Sequence, residues 1–121
     1  MKTYFLIASI LLFLLGVTAV FFPEALLASW DMKSDAAGLY MTRRYGGMFF
    51  GYAAILWISR RSGPSPAIRN ILFMGLIVAT TMTVLSLYGI LTGVAGPAMW
   101  GPVVIEAVLT VTYGYYYRAT R

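Results

Sequence analysis

Few side chains in this sequence could do chemistry, and they stand in unusual surroundings. Side-chain carboxylates occur only at Glu24, Asp31, Asp35 and Glu106, and there is no Cys and no His. Those absences remove zinc sites, haem with a His or Cys ligand, and Ser-His or Cys-His nucleophiles. Three of the four carboxylates share one short segment, so no ordinary transition-metal ligand set remains. No metal, haem or flavin is therefore expected as an intrinsic part. Glu106 differs from the other three because it interrupts an apolar run. An ionisable group there costs at least a few kcal/mol unless it is neutralised or paired. At helical spacing it shares a face with Val103, Thr110, Tyr113 and Tyr117, which makes one polar stripe. Two roles are open to it: a structural pin between helices, or a proton or cation site with Thr110 and Tyr113 as polar lining.

Arg43 and Arg44 fall about one turn inside another apolar run. Arg44 shares a stripe with Gly47, Gly51 and Ala54, expected to face other helices. Arg43 falls with Gly46, Phe50, Ala53 and Trp57, a bulkier face nearer lipid, where its guanidinium can snorkel and touch an anionic headgroup. Tyr40 and Trp100 are suited to mark a common membrane interface. Arg44 then lies about 6 Å inside that interface and Glu106 about 9 Å, at 1.5 Å per residue. An intramembrane ion pair between Arg44 and Glu106 is expected. Gly47–Gly51 and Gly89–Gly93 are small-xxx-small spacings that let helix backbones approach, either within one chain or at a dimer face. Thr80, Thr81, Thr83 and Ser86 either line a permeation path or bond the carbonyl one turn earlier.

Membrane helices are what must position these residues. The chain is 60% hydrophobic and 11% charged, against about a quarter charged in soluble domains. Its 121 residues predict one domain spanning 1–121, all-α, built as an integral membrane protein. Residues 4–22, 39–59, 71–95 and 98–117 are each long enough to cross about 30 Å of hydrocarbon. Short connections, such as Gly63–Pro66 and Gly96–Pro97, favour an antiparallel four-transmembrane-helix bundle. The first run is longer than a signal-peptide core and lacks a clean small-x-small cleavage site, so a retained helix is expected. Lys2, Arg60, Arg61, Arg69, Arg118 and Arg121 fall on one side with no acid among them. That places both termini in the cytoplasm. The net charge of +5 suits membrane lipids rather than nucleic acid, since no polar domain exists to carry the latter.

Arg44 and Tyr45 followed by Gly46 and Gly47, then Arg69, then Glu106 resemble a pattern in an uncharacterised family of small bacterial membrane proteins. Those chains carry an Arg-Tyr-rich start to the second helix and a Glu in the fourth. The likeness covers most of the chain, and departs where Thr42 and Arg43 stand in place of an acid. It implies a four-helix protein of the bacterial inner membrane and no particular activity.

Three classes of function follow. The favoured one is a small multi-pass membrane protein without catalytic machinery: an accessory or scaffold subunit of a larger membrane complex, or a homo-oligomer. The alternative is a small ion- or proton-coupled carrier or channel using Glu106. Small multidrug carriers are similar in size and helix count, but hold their intramembrane Glu in the first helix. A lipid-directed enzyme would need an acid-base pair or nucleophile that these residues do not assemble.

Overall fold

Long apolar runs leave the backbone one economical way to satisfy its own polar groups, and the chain takes it almost throughout. The computed structural model describes all 121 residues and is all-α, 83% helical. Its helices are α1 (Lys2–Phe21), α2 (Pro23–Ser29), α3 (Ala36–Ser59), α4 (Pro66–Leu91) and α5 (Trp100–Ala119), the last entered through a 3-10 turn at Pro97–Met99. Two of them, α1 and α4, are long and apolar enough to cross a membrane.

Local chemistry sets most boundaries. α1 stops before Pro23, which cannot continue a helix but can begin one. Pro23 opens α2, and Glu24 sits in its first turn, where the helix dipole favours an acid. This short helix occupies what reads in sequence as plain connection. Asp35 caps α3, its carboxylate accepting from the Gly38 amide at 2.7 Å. Ser65 caps α4 by accepting from the Ile68 amide at 3.2 Å, with Pro66 as the first helical residue. The helix therefore starts five residues before the expected position 71. It also ends earlier than 95. Gly93 adopts φ +76°, a left-handed conformation that terminates α4. Gly89 and Gly93 are thus not two positions of one helix face.

The chain, expected from its length to be one domain, divides into two compact units, Met1–Ser62 and Gly63–Arg121. In the first, α1 and α3 pair antiparallel, since Phe13 meets Phe50 with ring centroids 5.5 Å apart while Val20 and Ala19 meet Gly46. Gly16 lies directly against Gly46. A Cβ on Gly46 would stand 2.9 Å from the Gly16 carbonyl oxygen and 2.5 Å from Val20 Cγ2. Within this hairpin the buried stripe of α3 is Gly46, Ala53 and Leu56. A Cβ on Gly47 or Gly51, the expected packing glycines, would meet nothing within 4 Å. The hairpin seam runs along the Gly46 face because Gly16 and Phe50 interlock there. In the second unit α4 and α5 also pair antiparallel: Phe73 packs on Tyr117 and Leu76 lies beside Gly114. Leu72 and Ala79 of α4 and Val103 and Tyr113 of α5 form the seam's buried core.

Candidate functional site

The α4–α5 hairpin carries the polar residues that α5 displays at helical spacing. Its seam takes in Val103 and Tyr113, with Glu106, Thr110 and Tyr117 half-buried beside them. At one level Ser86 Oγ donates to Glu106 Oε2 at 2.8 Å, and Ser86 is only 4% exposed. Ser86 is thus the one hydroxyl of the α4 group that crosses to the partner helix. Thr80 and Thr83 instead donate to the carbonyls of Leu76 and Ala79, four residues earlier. Thr110 does the same within α5, donating to the Glu106 carbonyl at 2.9 Å.

A second cluster lies near the opposite end of the hairpin, where α4 begins and α5 ends. Arg69 Nη2 donates to the Tyr117 hydroxyl at 3.2 Å, and its guanidinium carbon is 4.6 Å from the Tyr117 ring centroid. Arg69 Nε is buried with no hydrogen-bond partner. Beside this cluster an open groove of about 610 Å³ runs from Leu76 and Thr110 past Gly114 to Arg118 and Arg121.

The expected ion pair joins residues of different units, and each has a neighbour of its own. Glu106 is held by Ser86, while the Arg44 guanidinium carbon stands 6.0 Å from the Tyr40 ring centroid on an exposed face. Ser86 is a partner that the sequence does not announce. Its signal is weak, because one more hydroxyl in a Thr-rich helix carries no mark of direction. Arg43 lines a smaller groove of about 350 Å³ that also holds Glu24. An acid in that lining works against binding an anion there. No group of three or more His, Cys, Asp or Glu side chains comes together in the structure.

No protein-family model, curated protein or solved structure matches this chain. The resemblance to small bacterial membrane proteins rests on Arg44 to Gly47, Arg69 and Glu106 alone.

Proposed function

We propose that this chain is a multi-pass membrane protein in which α1, α3, α4 and α5 each span the bilayer as an antiparallel bundle. We further propose that it serves as a non-catalytic accessory or scaffold subunit, or as a homo-oligomer. The observation that carries the membrane reading is the chemistry of the surfaces outside each hairpin seam. Ile10 and Leu14 on α1, Ile58 on α3, Val84 and Leu85 on α4 and Val111 on α5 are all exposed. Surfaces this apolar on every long helix are a liability in water and ordinary in hydrocarbon. At 1.5 Å per residue, α3 and α5 measure about 36 and 30 Å, enough for a span despite Arg43, Arg44 and Glu106. Catalytic machinery does not enter the reading because no nucleophile, base and orienting group converge.

The charge bias gives the orientation: both termini and the Ser62–Ser65 connection on the cytoplasmic side of a bacterial inner membrane. Single cysteines test it without removing any native thiol, since the chain has none. Lys33 and Gly63 are suitable sites because both are exposed and neither caps a helix, unlike Asp35 and Ser65. In intact cells Lys33→Cys should react with an impermeant maleimide, while Gly63→Cys should react only after permeabilisation. The reverse pattern refutes the orientation.

A carrier is the second reading. It is favoured by the groove's reaching Thr110, one turn from Glu106. A proton or cation flux in proteoliposomes that Glu106→Gln abolishes would move it to first place.

A further inference from the structure

We propose that the groove at the α4–α5 hairpin end binds one anionic phospholipid, its phosphate against Arg118 and Arg121 and an acyl chain along the floor past Gly114. This rests on the membrane reading. The groove changes character along its length: Leu76, Val111 and Gly114 line one part, whereas Tyr117, Arg118 and Arg121 line the far end. Gly114 keeps the floor open, because the nearest atom to a Cβ there would be Leu76 Cδ1 at 3.8 Å. From Thr110 to Arg118 the helix rises about 12 Å at 1.5 Å per residue. That is close to one leaflet, half of about 30 Å of hydrocarbon. A phospholipid has this same order of parts, with one charged end and one apolar chain.

Charge selects the anionic class. Arg69 adds a third cation one side chain away through its contact with Tyr117. The only side-chain carboxylate of this unit, Glu106, lies twelve residues before Arg118, or about 18 Å along the helix. The groove of the other unit combines Arg43 with Glu24 and lacks that polarity. A guanidinium matches a phosphate through two parallel N–H donors, so a pair of arginines at the mouth discriminates by headgroup charge.

Native mass spectrometry of the detergent-solubilised protein, titrated with dioleoyl phosphatidylglycerol or dioleoyl phosphatidylcholine, tests the proposal. The wild type should hold phosphatidylglycerol in preference to phosphatidylcholine. Arg118→Gln with Arg121→Gln should weaken the phosphatidylglycerol complex about thirtyfold, the product of two basic residues beside an anionic headgroup. Lys2→Gln with Arg61→Gln removes the same charge from exposed positions outside the groove and should change it by no more than about threefold, as screened surface charges do. Gly114→Leu, which fills the floor and leaves the arginines, should weaken binding of both lipids. Equal losses in the two double variants, equal affinity for the two lipids, or an unchanged Gly114→Leu complex would each overturn the site. A chain that stays monodisperse in buffer without detergent would instead overturn the membrane reading beneath it.

Discussion

Gly46→Leu should disrupt the N-terminal hairpin, while Gly47→Leu one residue later should leave it paired. The two positions differ in what a side chain would meet. A Cβ on Gly46 is already 2.9 Å from the Gly16 carbonyl oxygen, 2.5 Å from Val20 Cγ2 and 3.1 Å from Ala19 Cβ. The carbonyl belongs to the α1 backbone and cannot rotate away, so the helices must separate. Separation opens the contact that also holds Phe13 on Phe50. Overpacking a tight interior costs about 1–3 kcal/mol for small insertions, and a Leu here should reach the top of that range or exceed it. Around Gly47 there is nothing within 4 Å, so Leu projects into open space. Unfolding in mixed micelles by increasing SDS, followed by circular dichroism, reads the difference as a shift of midpoint. Equal shifts for the two variants would show that the seam is misassigned. If Gly47→Leu spares the hairpin but lowers the oligomeric mass, the Gly47–Gly51 stripe serves a second copy.

Removing the hydroxyl of Ser86 should destabilise the C-terminal hairpin by about 1–2 kcal/mol, more than an average hydrogen bond between membrane helices contributes. The reason is the acceptor. Ser86 is nearly buried, so once its hydroxyl is gone little water can reach the Glu106 oxygen that accepted from it, and that oxygen is left unsatisfied. Glu106→Ala alone orphans the serine, and Ser86→Ala alone orphans the acid. The double variant orphans neither, so its loss should be smaller than the sum of the singles by about 1 kcal/mol or more. Strict additivity, within about 0.5 kcal/mol, would mean that the 2.8 Å contact carries no energy. The same cycle run on Arg44 and Glu106 tests the ion pair expected from their depths. Coupling there would bear out the pin, and additivity would reject it.

The four long helices are legible in the sequence because their causes are local. Pro23, Asp35 and Ser65 with Pro66 each act within one turn, and Gly93 ends a helix by its own conformation. Gly93 also shows how local signals compete: its spacing of four from Gly89 suggests a packing face, yet the turn signal of Gly96 and Pro97 close behind it prevails. The seam between α1 and α3 is not legible, since it depends on Gly16 meeting Gly46 across thirty positions of chain. Adjacent glycines at 46 and 47 offer two faces about 100° apart, and periodicity alone does not choose between them. Glu106 stands out on cost alone, because an acid in an apolar run demands a partner. Which partner it takes is a fact of helix register, and Ser86 is found only when the hairpin is closed.

That each unit is a hairpin of long helices close together in the chain bears on how the protein is made. α1 reaches α3 across residues 22–35, and α4 reaches α5 across residues 92–99. Both connections are short, the first of them containing α2, so closing them takes little entropy, and the pairing that results is local in sequence. Synthesis delivers the N-terminal segments first. The Gly16–Gly46 seam can therefore be complete before the residues after Ser62 have left the ribosome, and nothing in it waits for Glu106 or its serine. Biogenesis in two instalments, one hairpin at a time, follows from where the chain turns back on itself.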